Sequence, residues 1–138
     1  MYCLDANVWI YYFDAGLDEH GAVRESIEGI LASEPLFTTT VLQMEVVHYL
    51  SGQLAESDEQ IQRFLSLEGV TVAELTERDV DTAADLLGTY ADVGIGGRDA
   101  TVVAAMDRYD ISRLLTHDEG LKRLGDRLDW LDVRDPAE

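Results

Sequence analysis

The sequence predicts an α/β fold, in which a parallel sheet is covered on both faces by helices. Three observations carry that expectation. Short apolar runs of strand length alternate with segments of helical periodicity from one end of the chain to the other. Turn and cap signals fall between them. The length, 138 residues, suits one domain, expected to span residues 1–138.

Tyr2-Cys3-Leu4-Asp5 reads as a short buried strand and residues 7–14 as a first helix, although its aromatic content is also strand-like. Residues 19–32 place Val23, Ile27, Ile30 and Leu31 on one helical face, and Pro35 breaks that helix. Leu36-Phe37-Thr38-Thr39 is a second strand, followed by a helix from about 40 to 54 and another from 58 to 67 capped by Ser57 or Asp58. Val70 to Ala73 is a third strand. Thr76, with Asp79 three residues on, caps a helix from 77 to about 92. After the loop Gly94-Ile95-Gly96-Gly97, residues 98–109 form an apolar helix. Leu114-Leu115-Thr116 is a fourth strand, about 118 to 124 a short helix, and Trp130-Leu131-Asp132-Val133 a fifth strand. No repeat or low-complexity segment interrupts the alternation.

Composition bounds the setting. Hydrophobic residues make up 46% of the chain, enough for an ordinary core. No stretch reaches the roughly 20 apolar residues of a membrane span. The first residues are not a basic region followed by a long apolar run, so a secretory signal is not expected and a cytoplasmic location is. Cys3 is the only cysteine, which excludes an internal disulfide and fits a reducing compartment. The net charge is −18, and a single lysine, Lys122, stands beside nine arginines. The acids are spread along the chain, as on the surface of a protein adapted to concentrated salt, where self-repulsion is screened. Polyanion binding normally rests on basic patches. Here only Arg108, Arg113, Lys122, Arg123 and Arg127 approach one, and they read as scattered surface and helix-end charges.

Four acids stand in unusual settings: Asp5, Glu45, Asp99 and Asp118. Asp5 ends the first buried strand and Asp118 lies just past the fourth. Asp99 opens a helix, at the strand edge where parallel α/β sheets bind ligands. Each of these three also has a local reading as a helix cap or first-turn acid. Glu45 lies mid-helix among Val41, Leu42, Met44, Val46, Val47 and Leu50. It is expected to be partly buried and to need a partner, whether an arginine or a cation. If the four converge, repulsion holds some of them protonated unless a cation lies among them. Carboxylates at one sheet edge suit a hard divalent ion such as Mg²⁺, and the chemistry that follows is metal-assisted phosphodiester hydrolysis.

Other motifs carry less. No Cys/His zinc spacing occurs. His20, His48 and His117 are dispersed; His48 reads as a surface residue, and His117 neighbours Asp118. Gly94–Gly97 lacks the Lys-Ser/Thr ending of a phosphate loop and reads as a loop before a helix. Arg98, beside Asp99, is the cation placed for a substrate phosphate contact.

With these blocks in place, the chain resembles the PIN-domain nucleases, especially the VapC-like toxin ribonucleases of toxin–antitoxin pairs. The resemblance rests on Leu4-Asp5-Ala6-Asn7, Glu45 within Val41–Val46, Arg98-Asp99 with the Ala100–Ala105 run, and Leu114-Leu115-Thr116-His117-Asp118, in that order and spacing. It implies a three-layer α/β/α fold with a short parallel sheet ordered 3-2-1-4-5. It implies a metal site of Asp5, Glu45, Asp99 and Asp118 for Mg²⁺ or Mn²⁺, with Asn7 and Thr116 orienting Asp5 and Asp118. Cleavage of single-stranded RNA, a homodimer and a small inhibitory antitoxin follow from the same resemblance. The chain departs from the family in its acidic surface, which bears on RNA affinity at ordinary salt. The competing readings are an RNA-processing nuclease of the same fold and a receiver-like Mg²⁺-binding signalling module. The receiver reading expects an acid after the third strand and a lysine near the last; here Ala73-Glu74 and a helical Lys122 stand instead.

Overall fold

The structure, a computed structural model, describes residues 1–53 and 57–138. Five strands form one parallel sheet: β1 (Tyr2–Leu4), β2 (Leu36–Thr39), β3 (Val70–Ala73), β4 (Arg113–Leu115) and β5 (Asp132–Arg134). Their order is β3-β2-β1-β4-β5, the order the resemblance implied. The register sets Cys3 beside Phe37 on one flank and beside Leu114 on the other. These three side chains are buried, as expected for a central strand packed on both faces.

Seven helices among the described residues connect and cover the strands: α1 (Ala6–Phe13), α2 (His20–Ser33), α3 (Thr40–Gln53), α4 (Asp58–Leu65), α5 (Glu77–Thr89), α6 (Gly97–Arg108) and α7 (Glu119–Arg127). The aromatic segment after β1 is helical because Asp5 caps it, its Oδ1 accepting the Ala6 N–H at 2.8 Å. Trp9 then stacks on Phe13 with centroids 6.1 Å apart and meets the edge of Phe64 at 5.0 Å. Thr39 starts α3 in the same manner, its hydroxyl accepting the Leu42 N–H at 3.1 Å. The capping box expected at Thr76 is formed: Thr76 Oγ1 accepts the Asp79 N–H and Asp79 Oδ2 accepts the Thr76 N–H, both at 3.1 Å.

Several boundaries differ from the sequence reading. The fifth strand begins at Asp132, not Trp130, because pairing with β4 starts at Arg113↔Asp132 and Leu131 is still held in a turn by Leu128. The helix expected to run to about 92 ends at Thr89, where a turn from Tyr90 to Val93 leads into Gly94 at φ +87°, a left-handed conformation that favours glycine. Helix α3 buries Leu42, Val46 and Leu50 and leaves the apolar Met44 60% exposed. The expected end of that helix at residue 54 lies outside the described residues.

Order and direction reverse at β1: the chain moves one way to β2 and β3, then crosses to β4 and β5. The carboxyl ends of β1 and β4 therefore bound the crevice that such a switch point opens. Asp5 follows β1 directly, and Asp118 follows β4 by three residues.

Candidate functional site

Asp5 is 5% exposed. Its amide donates to the Leu115 carbonyl at 2.9 Å, so the residue is fixed between the ends of β1 and β4. Both carboxylate oxygens are engaged: Oδ1 by Ala6 N–H, and Oδ2 by the Thr116 hydroxyl at 2.6 Å. Thr116, fully buried, also accepts the Asp118 N–H at 3.0 Å. One hydroxyl thus links the two acids, donating to the first and accepting from the backbone of the second. Asp118 in turn caps α7, its Oδ2 accepting the Leu121 N–H at 2.9 Å. Asn7 Oδ1 accepts the His117 N–H at 3.4 Å and so ties α1 to the β4–α7 connection that carries Asp118.

Asp99 lies in the first turn of α6 and Glu45 midway along α3. Glu45 is half-buried and faces Arg98 at 3.6 Å, while the Arg98 side chain remains 74% exposed. Both expectations for Glu45 meet here: it is partly buried and it has an arginine partner.

Electrostatics tie the four together. Asp99 is pushed up to about 7, first by burial and then by the charges of Asp5, Asp118 and Glu45, against a weaker lowering by Arg98. Burial also raises Asp5, opposed by its hydrogen bonds and reinforced by Asp118. Glu45 is raised by burial and by Asp5, and lowered by Arg98. Each acid named by the sequence is therefore within electrostatic reach of at least one other. The Cys3 thiol beneath them is pushed up by burial and by Asp5, which leaves it an inert core group.

The donor set is all oxygen. No group of three acidic, histidine or cysteine side chains among the described residues stands ready to close on one ion. That geometry does not suit a closed cage such as a structural zinc site. The four acids are linked electrostatically without forming a ready-made cluster, and an all-oxygen set of this kind suits a hard divalent cation that keeps water in its remaining positions.

Sequence reasoning missed Asp135. It follows β5, and its side chain is 3% exposed. It accepts from His117 Nδ1 at 2.8 Å and pairs with Lys122, which also reaches Glu119 at 3.0 Å and Glu138 at 2.8 Å. The His117 ring is thereby turned to the C-terminal segment. Asp135 clamps both the residue before Asp118 and the helix that Asp118 opens. The signal that finds it is topological: β5 lies parallel beside β4, so the residue after β5 arrives at the same edge.

Close packing completes the edge. A Cβ on Gly120 would stand 2.9 Å from the Gly94 carbonyl oxygen and 3.1 Å from Asp118 Oδ2. The loop before α6 and the start of α7 thus touch through backbone. The scattered cations are occupied locally. Arg108 is bound to Asp79, Arg127 to Asp92, and Arg123 to the Val93 carbonyl, while Arg113 lies over the Tyr2 ring. Beside Glu45 and Arg98 a groove of about 370 Å³ presents Val41, Met44 and Leu75.

The PIN domain family model matches residues 2–127. The chain belongs to the PIN-domain family. It is 26% identical over 116 residues to Ribonuclease VapC26 of Mycobacterium tuberculosis, covering 83% of this chain and 84% of that protein. Among solved structures it is similar to VapC20 of Mycobacterium tuberculosis, described as a sarcin–ricin loop cleaving toxin, with a TM-score of 0.74, 18% identity and coverage of 91% and 95%. FitAcB from Neisseria gonorrhoeae gives a TM-score of 0.71 at 18% identity, covering 99% and 98%. The solved structures share the fold observed here, and the PIN domain match sets aside the receiver-like reading. No helix among the described residues is long and apolar enough to cross a membrane.

Proposed function

We propose that this chain is a single-domain, Mg²⁺- or Mn²⁺-dependent endoribonuclease that hydrolyses phosphodiester bonds of single-stranded RNA, and that it is the toxin of a toxin–antitoxin pair. The observation that carries the reading is the PIN-family match and the similarity to a named ribonuclease, supported by the Thr116 hydroxyl joining Asp5 to Asp118 at the β1/β4 edge and by burial and neighbouring acids raising Asp99. Asp5, Asp99 and Asp118, with Glu45, would hold the cation. When bound, it supplies a water of lowered pKa and a counter-charge for the leaving oxygen. Thr116 keeps the Asp5 carboxylate turned to the crevice while tying it to the Asp118 backbone. Arg98, mostly exposed and loosely paired with Glu45, would be the cation free to contact a non-bridging phosphate oxygen of the substrate.

The toxin reading over RNA processing is favoured by the similarity to solved toxin and toxin–antitoxin structures, among them VapBC-1 from nontypeable Haemophilus influenzae at TM-score 0.66. A short reading frame beside this one, whose product copurifies with the chain and silences it, is the expected sign. A homodimer is part of the same reading, and the exposed Met44 and Leu75 are apolar surface for a second copy to bury. The charge of −18 suits a cytoplasm rich in salt, where repulsion between protein and RNA is screened.

In molar KCl with Mn²⁺, purified protein should cut single-stranded RNA, and EDTA or Asp99→Asn should abolish cutting. An Asp99→Asn protein as fast as wild type would move the chemistry elsewhere.

A further inference from the structure

Asp135 grips the chain on both sides of Asp118. Ahead of Asp118, His117 Nδ1 donates to Asp135 Oδ2 at 2.8 Å. Behind it, Lys122 Nζ is bound to the same oxygen, and the Lys122 amide donates to the Asp118 carbonyl at 3.1 Å. The lysine therefore stands one helical turn from Asp118. Strand β5 delivers the carboxylate to this place: the Arg134 carbonyl accepts the Thr116 N–H at 2.9 Å. The Ala137 N–H fixes Asp135 Oδ1, also at 2.9 Å. Asp135 lies beyond the PIN domain match, which ends at residue 127, whereas Asp5, Glu45, Asp99 and Asp118 lie within it.

Burial decides which of the acids around Lys122 does the holding. The Glu119 and Glu138 side chains are each 69% exposed, and that of Asp135 is 3% exposed. Exposed pairs contribute little and are screened by salt. A buried pair is screened far less, so in molar salt Lys122 is held chiefly by Asp135. The grip is also aimed. From the β4–α7 connection Asp135 takes the residue next to Asp118, and from α7 the residue whose backbone closes on Asp118.

We propose that Asp135 is a positioning residue for the cation site, holding the Asp118 carboxylate at the crevice through His117 on one side and Lys122 on the other. The proposal rests on the nuclease reading, because it gives Asp118 a cation to hold. Asp135 is not itself a ligand in this scheme. It acts as the outer partners of metal ligands do, by fixing the orientation of the group that binds.

Two measurements in molar KCl test it on the full chain: Mn²⁺ titration, and amide hydrogen exchange without metal. The reporting amides are Asp118, which donates to Thr116 Oγ1, and Leu121, which donates to Asp118 Oδ2. Asp135→Asn should speed their exchange about tenfold and weaken Mn²⁺ about tenfold. Lys122→Met removes one arm and keeps the packing of the stem. It should move both readouts the same way by less, and it serves if Asp135→Asn does not fold. Asp79→Asn is the structural control, since it also loses a buried carboxylate's charge beside an arginine. It should lower Tm while leaving Mn²⁺ affinity and both reporting amides as in the wild type. Unchanged exchange at Asp118 and Leu121, acceleration spread equally over α5 and α7, or undiminished Mn²⁺ affinity in Asp135→Asn would each overturn the proposal alone. A wild-type protein that takes up no Mn²⁺ would overturn the nuclease reading, and the proposal with it.

Discussion

Helices α5 and α6 open with the same pair of residues, Arg78-Asp79 and Arg98-Asp99, three positions from their respective N-caps, Thr76 and Gly96. The two aspartates nevertheless live opposite lives. Asp79 closes a capping box with Thr76 and receives two 2.9 Å hydrogen bonds from Arg108. Its carboxyl is held below the ordinary carboxylate range, chiefly by that arginine. Asp99 has no cap side chain to share, because Gly96 offers none. Burial and three neighbouring acids push it up to about 7. The lesson is that an acid at the third helical position is structural when its cap and a cation complete it, and is left available when a glycine cap and an acidic neighbourhood withhold both.

The comparison can be broken from either side. The largest effect belongs to Asp99→Asn, which should lower RNA cleavage by about a thousandfold or more without loss of fold, read by gel assay beside circular dichroism. Asp79→Ala should do the reverse. It removes the capping box and strands Arg108, costing about 2–3 kcal/mol of stability in denaturant titration, with cation affinity unchanged. A Gly96→Thr variant tests the cap itself. A Cβ at Gly96 meets nothing within 4 Å, so a capping box can form and draw Asp99 out of the crevice. Mn²⁺ affinity should fall about tenfold, while the helix gains a few tenths of a kcal/mol.

The smallest effect is on pH. Asp99 binds its proton more tightly folded than unfolded, so between about pH 4 and 7 the folded state holds more protons. Cation-free stability should therefore fall as pH rises through that window and stay low above it. Solvent screening limits this to about 1 kcal/mol, or a few degrees in Tm, and Asp99→Asn should flatten the slope.

Much of this arrangement was legible in the sequence because it is local. Strands and helices declared themselves through period and caps, down to the Thr76–Asp79 box. The four acids stood out because a strand end, a helix interior and a helix start are each poor places for an unpartnered charge. What stayed hidden was contact across the sheet. Nothing near residue 135 indicates that it meets His117 and Lys122; that follows only once β5 lies beside β4. The Thr116 bridge between Asp5 and Asp118 spans more than a hundred residues, and its double use of one hydroxyl requires coordinates. The Asn7 bond likewise goes to a backbone amide of the opposite loop, more than a hundred residues away. The exposure of Met44 is not readable from the sequence, because an apolar run on a helix does not say which neighbours will cover it.

The central claim is that these acids share a cation. Isothermal titration of Mn²⁺ into the protein in molar KCl at about pH 8, above the raised Asp99 value, tests it most directly. The account predicts saturable binding, reversed by EDTA and weakened at least about tenfold by Asp99→Asn and by Asp5→Asn, with Asp79→Asn binding as the wild type does. Equal Mn²⁺ affinity in wild type and Asp99→Asn would contradict it.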